Sequence, residues 1–211
     1  MLRRPFSRLS LCAAAIGALA ITAFAVAPSR AAEDAVIIPA PAADAQASDG
    51  IQTAVIAGGC FWGVQGVFQH TSGVVNAVSG YAGGGKATAD YTMVSTGTTG
   101  HAESVQIKYD PKKISYGKIL QIFFSVAHDP TQLNRQGWDI GDNYRSVVFF
   151  HDEEQREAVE RSKVQEQASR RSPIVTQIEP AQTFYEAEDY HQQYLEKRGR
   201  SSCTPALART G

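Results

Sequence analysis

Gly58-Gly59-Cys60-Phe61-Trp62-Gly63 is the stretch on which the reading of this 211-residue chain turns. It follows Thr53-Ala54-Val55-Ile56-Ala57, a short apolar run that reads as a buried strand. It precedes Val64, Val67 and Phe68, which recur at helical spacing. Strand, glycine turn and helix then put Cys60 at a helix N-terminus. Unpaired N–H groups and the positive end of the helix dipole favour a thiolate there. Two large aromatics flank the sulfur, and glycines on both sides leave room for a ligand to approach the backbone. By itself the hexad leaves two readings open, a buried structural cysteine beside core aromatics or a reactive thiol.

The N-terminus reads as a targeting segment. Arg3, Arg4 and Arg8 form a basic region, Leu9 to Ala27 is apolar, and Ser29-Arg30-Ala31 offers small residues at a cleavage site. Residues 1–31 are therefore expected to be a secretory signal, and the protein to be exported to the periplasm or secreted. Arg3-Arg4-Pro5-Phe6 resembles the twin-arginine export pattern. Membrane attachment is expected only if the signal stays uncleaved. Residues 32–50, rich in Ala and Pro, read as a disordered linker. Residues 51–211 then form one domain with a C-terminal tail, long enough to bury a core. A net charge of −1 gives no electrostatic footprint for nucleic acid.

Of the three cysteines, Cys12 leaves with the signal. Cys60 and Cys203 remain, and in an oxidising compartment they make either a structural staple or a catalytic pair. No Cys or His pair has zinc-ligand spacing, and no metal is expected.

Along the domain, residues 73–81 alternate as a strand. Ala82-Gly83-Gly84-Gly85-Lys86 lacks the ending of a phosphate loop and reads as a turn. His101 to Tyr109 reads as a strand in which Glu103 shares a face with Val105 and Ile107. A carboxyl on an apolar face is costly unless partnered or protonated, and burial favours its acid form. Glu103 is thus a candidate general acid. Ser115 should cap a helix bearing Ile119, Leu120, Ile122, Phe123 and Val126. A long polar loop with Arg135, Trp138, Asp139, Gly141 and Tyr144 follows. Ser146 to Phe150 reads as a strand, and a charged helix from Asp152 to about Arg170 has Val159 and Val164 as its sparse apolar positions. Ile174 to Ile178 reads as the last strand, with Phe184, Tyr185, Tyr190 and Tyr194 on a final helical stretch. Strands and helices without strict alternation predict an α+β fold.

Several motifs together resemble a known family. They are Gly59-Cys60-Phe61-Trp62-Gly63, Gly80-Tyr81-Ala82-Gly83-Gly84, Thr99-Gly100-His101-Ala102-Glu103, Tyr109-Asp110-Pro111, His128-Asp129-Pro130-Thr131, Asn134-Arg135-Gln136-Gly137, Tyr144-Arg145-Ser146 and Ala187 to Leu195. The family is peptide methionine sulfoxide reductase of the A type, and the resemblance spans essentially the whole domain. It implies a two-layer α/β sandwich of ferredoxin-like type with a mixed sheet and an irregular C-terminal tail. It implies reduction of methionine-S-sulfoxide, in proteins and as the free amino acid. Carried onto this sequence, Cys60 matches the nucleophile, and Phe61 and Trp62 the wall holding the substrate methyl group. Glu103 matches the proton donor to the sulfoxide oxygen, and Tyr91 and Tyr144 the hydroxyls that bond that oxygen. Asp139 matches a loop carboxylate that helps order the site.

The resemblance also implies that Cys203 resolves the oxidised Cys60 as a disulfide, with a thioredoxin-like protein or a dithiol as reductant and no bound cofactor. The residues around Cys203 depart from the family: Arg198-Gly199 and Ser201-Ser202 stand where Asn-Pro and Gly-Tyr are usual. Gln65 likewise replaces a common Glu, Ala89-Asp90 a common Pro-Thr, and Asn143 a common Gln. No cysteine follows Cys203, so a single resolving step is expected rather than a relay. Partners are then oxidised proteins or peptides and the reductant, with a monomer as the default. Two other readings fit Cys60 less well: a thiol peroxidase, and a secreted binding domain with a structural disulfide.

Overall fold

A computed structural model describes residues 49–199. The signal, nearly all of the linker and Cys203 lie outside the described residues. In chain order the elements are β1 (Gln52–Gly58), α1 (Phe61–Gln69), β2 (Val74–Ala82), α2 (Tyr91–Val94), β3 (Ala102–Tyr109), α3 (Tyr116–Ile122), β4 (Arg135–Gln136) and β5 (Asp139–Ile140). Then come β6 (Ser146–Phe150), α4 (Glu153–Gln167), β7 (Gln177–Pro180), β8 (Tyr185–Glu186) and α5 (Tyr194–Lys197).

Six strands form one mixed sheet in the order β7-β6-β1-β3-β2-β8. Every neighbouring pair is antiparallel except β6 and β7. The two faces of β1 explain its unbroken apolar run. Ala54 and Ile56 join Val105, Ile107 and Val148 in the main core, with Phe68 of α1, Leu120 of α3 and Val159 of α4. Val55 and Ala57 face the other way, with Val147 and Phe149, and Phe184 packs over them. A central strand buried on both sides needs no polar alternation. The architecture is the expected mixed α/β one.

Local chemistry sets the helix starts as expected. Ser115 accepts the Lys118 N–H at α3, and Asp152 accepts the Gln155 N–H at α4. Beyond Ile122, the chain continues as a π-turn over Phe123–Ala127.

Four expectations are corrected. The last strand starts at Gln177 rather than Ile174, because the Ile174 N–H goes to Gln167 Oε1 at 2.7 Å and the Val175 N–H to the Pro130 carbonyl at 2.9 Å. Val164 is solvent-facing at 73 %, whereas Glu166 of the same helix is fully buried and paired with Arg170. The loop before Tyr144 contains a small hairpin, β4 paired with β5. Finally, Phe184 to Tyr194 is no continuous helix. Tyr185 and Glu186 pair with Tyr81 and Gly80 as an edge strand, Tyr190 lies in a 3₁₀ turn, and Tyr194 opens the short α5. A Cβ on Gly80 would overlap the Phe184 ring and the Tyr185 carbonyl, so glycine is what admits this strand.

Candidate active site

One end of the sheet gathers most of the predicted residues. In the β1–β3 register, Ile56 lies opposite Val105, and two more steps bring Glu103 level with Gly58. Gly58 also pairs with Ser146 at the start of β6, just after the 3₁₀ turn Asp142–Tyr144. β2 ends at this edge as well, Ala82 opposite Ala102. Antiparallel pairing therefore brings Cys60, Glu103 and Tyr144 to one end of the sheet.

Cys60 is the N-cap of α1, its carbonyl accepting from Gly63 at 3.1 Å. The half-buried sulfur thus stands at the positive end of the helix dipole, where anionic charge is stabilised. Gly59 makes this turn at φ +87, and a Cβ there would overlap the Gln136 side chain. The β4–β5 hairpin consequently packs directly against the residue preceding the thiol.

Glu103 is 3 % exposed, and its Oε2 accepts the Phe61 N–H at 3.0 Å. That bond holds the carboxyl beside the residue that follows Cys60. Tyr91 and Tyr144 both lie within electrostatic reach of Glu103 and Cys60. Burial pushes both phenols above their ordinary range, and the neighbouring Glu103 carboxyl and Cys60 thiol oppose their ionisation further. They stay protonated as hydrogen-bond donors. Asp139, on the hairpin, lies within electrostatic reach of Tyr144, and partial desolvation raises its pKa.

The two aromatics beside the sulfur part company. Phe61 is 1 % exposed and packs in the core against Tyr81 and His191. Trp62 is half-buried, packed against the edge of that core. Of the two, Trp62 is the more exposed.

Trp62 has supports that sequence reasoning missed. Its indole N–H donates to His191 Nδ1 at 3.1 Å, and Tyr194 stacks on it at 3.7 Å and 10°. Glu188 accepts from the Tyr81 hydroxyl at 2.8 Å and from the Tyr91 N–H at 3.0 Å. A pair of glutamines anchors the segment carrying these groups. Gln65 donates to the Ala77 carbonyl and to Gln192 Oε1, and accepts the Gln193 N–H. Gln192 in turn accepts the Ser79 N–H and donates to the Ser79 and Ala187 carbonyls. The only available signal was a half-buried indole N–H in need of an acceptor. The acceptor lies 129 residues away, beyond any local pattern.

The glycine-rich turn holds no such chemistry. His101 pins it, accepting the Gly84 N–H and donating to the Gly85 carbonyl. Among the described residues, no group of three or more His, Cys, Asp or Glu could hold a metal ion.

A family model described as peptide methionine sulfoxide reductase matches residues 52–210. The chain belongs to the peptide methionine sulfoxide reductase family. Membership makes it an oxidoreductase acting on methionine sulfoxide in peptides. It is 54 % identical over 154 residues to peptide methionine sulfoxide reductase MsrA 2 of Mesorhizobium japonicum, covering 72 % of this chain and 79 % of that one. With MsrA of Geobacter metallireducens the identity is 52 % over 155 residues, 72 % and 95 % of the two chains. Among solved structures, Mxr1 of Saccharomyces cerevisiae in reduced form superposes with a TM-score of 0.70 at 34 % identity, covering 74 % of this chain and 90 % of that one. Methionine sulfoxide reductase A of Corynebacterium diphtheriae gives 0.62 at 33 %, covering 82 % and 91 %. The reductase fold is therefore the frame in which Cys60, Glu103, Tyr91, Tyr144 and Trp62 meet.

Proposed function

We propose that this reductase is an exported repair enzyme that reduces methionine-S-sulfoxide through Cys60. The observation that carries the reading is the 3.0 Å bond from the Phe61 N–H to Glu103, which sets a buried carboxyl beside the thiol at a helix N-terminus. A sulfoxide oxygen leaves poorly until protonated, so a thiolate attacking the sulfur needs an acid on the oxygen side. Glu103 gives its acid proton to the sulfoxide oxygen. Tyr91 and Tyr144 donate hydrogen bonds to that oxygen as charge develops on it. Trp62, backed by Phe61, holds the substrate methyl group, and Asp139 orders the Tyr144 side.

The substrate sulfur gains two electrons and leaves as a thioether. Cys60 loses them and retains the oxygen as a sulfenic acid. The Cys203 thiol condenses with it, releasing water and forming the Cys60–Cys203 disulfide. A thioredoxin-like dithiol then exchanges with that disulfide and restores both thiols. Basic, apolar and small-residue regions in 1–31 support export to the periplasm or beyond.

The test is turnover of separated S and R sulfoxides with dithiothreitol and then thioredoxin. Wild type should reduce only the S form, and Cys60→Ser should reduce neither. Cys203→Ser should release about one product per enzyme with thioredoxin and then stall. Normal thioredoxin-driven turnover in Cys203→Ser would remove it from the cycle.

A further inference from the structure

The two glycines before the thiol are both filled from one later segment of the chain. A Cβ on Gly58 would overlap the His128 ring, and a Cβ on Gly59 would overlap the Cβ and Cγ of Gln136. The space that glycine leaves on this side of Cys60 is thus taken by the protein itself. Gly59 stands at φ +87, and the direction in which the chain enters Cys60 is set there. Glycine is the residue with the widest choice of φ and ψ, so such a turn needs an outside restraint. One residue beyond the thiol, Glu103 holds the Phe61 N–H at 3.0 Å. Cys60 therefore sits between two restraints, a carboxyl on the residue after it and a methylene stem against the residue before it.

That stem is itself locked at its far end. Gln136 Oε1 accepts the Asp129 N–H at 3.0 Å, and its Nε2 donates to the Asp129 carbonyl at 3.1 Å. A half-buried amide could bond to water, but here both of its groups go to the backbone of one residue. Asp129 is anchored in turn. Its carboxylate accepts from the Thr131 N–H at 2.9 Å, the Thr131 hydroxyl at 2.7 Å and the Gln132 amide at 2.9 Å. Burial pushes this carboxyl up, but the bonds from Gln132 and Thr131 and the Arg170 guanidinium outweigh it and hold it below its ordinary range. Arg170 lies 3.8 Å from Asp129 Oδ1, pairs with the buried Glu166 of α4 and donates to the Phe124 carbonyl at 2.8 Å. The contact on Gly59 is thus tied through Asp129 to the end of α4.

We propose that Gln136 is a positioning residue for Cys60, acting through Gly59: locked on Asp129, its stem holds the turn that sets the thiol at the N-terminus of α1. The proposal rests on Cys60 as the point of sulfoxide reduction and adds what aims it. The helix dipole favours an anion only within the first turn of the helix. A Gly59 released from Gln136 regains the φ range open to glycine and swings Cys60 off that position. The thiolate then loses part of its stabilisation and its line of attack on the sulfoxide sulfur. Trp62, held by His191 and Tyr194, makes no use of Gln136. Gln136 therefore governs the chemical step and leaves the hold on the substrate methyl group unchanged.

The test uses the full chain with Gln136→Ala, and with Gln136→Met, which keeps the volume of the stem but not its bonds to Asp129. Iodoacetamide labelling of the reduced protein from pH 5 to 10, read on the Cys60 peptide by mass spectrometry, gives the midpoint of thiol reactivity without any sulfoxide. Both variants should move that midpoint up by about half a unit to one unit. The single-turnover rate at saturating N-acetyl-methionine-S-sulfoxide should fall on the order of tenfold, with the half-saturating concentration little changed. A lower melting temperature with midpoint and rate as in wild type would make Gln136 merely structural and overturns the proposal. A slower turnover with an unmoved midpoint assigns the effect to Asp139 on the same hairpin, and also overturns it. So does a higher half-saturating concentration at an unchanged rate. Labelling needs no turnover, so wild-type inactivity on the sulfoxide would strike the reading of Cys60 while the midpoints still judge Gln136.

Discussion

The indole Nε1 of Trp62 donates to Nδ1 of His191 at 3.1 Å, joining residues 129 positions apart. Because Nδ1 accepts, the neutral ring carries its proton on Nε2, which points toward Glu188 Oε2 at 4.0 Å. Burial lowers the His191 pKa below its ordinary 6.5, with Glu188 opposing the shift. The acceptor is thus intact at neutral pH and is lost as pH falls through that depressed value, when Nδ1 takes a proton. His191→Phe should leave the indole N–H without its acceptor and raise KM for sulfoxide several-fold, about 1 kcal/mol of lost positioning. In wild type, KM should rise only toward acid pH, and the variant should lack that dependence. Steady-state kinetics from pH 5 to 8 check both.

Glu103→Gln separates structure from chemistry. A glutamine Oε can still accept the Phe61 N–H, so the turn at Cys60 should survive. The side chain no longer has an acid proton to give. The single-turnover rate of sulfoxide reduction should fall by about 10²–10⁴-fold, with little change in thermal midpoint. Stopped-flow rates together with a melting curve decide it, and an unchanged rate would release Glu103 from the acid role.

Gln65→Leu tests the glutamine pair. Gln65 is 2 % exposed and serves the Ala77 carbonyl, Gln192 and the Gln193 N–H. Leucine fills a similar volume but strands the Gln193 N–H, at a cost of about 1–3 kcal/mol. The same change loosens the segment bearing His191 and Tyr194, so KM should rise alongside the loss of stability. Urea unfolding and substrate titration measure the two effects, and wild-type values for both would mean that the pair anchors nothing.

His128 links acidity to stability. It donates from Nδ1 to the Phe123 carbonyl at 3.0 Å and accepts at Nε2 from Ser146 at 2.7 Å. Burial pushes its pKa down to about 4, from an ordinary value of 6.5. Between those values the unfolded chain binds a proton that the folded one refuses, so stability rises with pH across that window. The stability is whole above about 6.5 and is lost progressively as pH falls to about 4, by roughly 3 kcal/mol. His128→Asn, whose amide can still donate toward Phe123, should be less stable at neutral pH but lack this component of the acid slope. Denaturant midpoints at pH 4.5, 5.5 and 7.5 for both proteins provide the comparison.

Much of the site was legible because its signals are local. Strand parity alone set Glu103 on the same face as Val105 and Ile107, and both join the core on that face. The glycine turn ahead of an apolar helical pattern set Cys60 at an N-cap. The C-terminal stretch was not legible in the same way. Phe184, Tyr185, Tyr190 and Tyr194 can be spaced along a helix, but the edge of β2 beside Gly80 offers backbone groups that the Tyr185–Glu186 strand satisfies. Long-range pairing there outweighed local propensity.

The sequence by itself determined which groups could do chemistry: a thiol after paired glycines, a carboxyl on an apolar strand, and phenols in loops. Periodicity and turn chemistry act over a few residues, and those are the ranges a sequence pattern reports. Only the tertiary structure decided which groups meet and what each ring is for. Phe61 and Trp62 are neighbours in the chain, yet one is core and the other is half-buried, held between His191 and Tyr194. That division follows from a polypeptide returning after more than a hundred residues to satisfy a single indole N–H. No local rule encodes such a closure, because the hydrogen bond exists only once the sheet has brought both ends together.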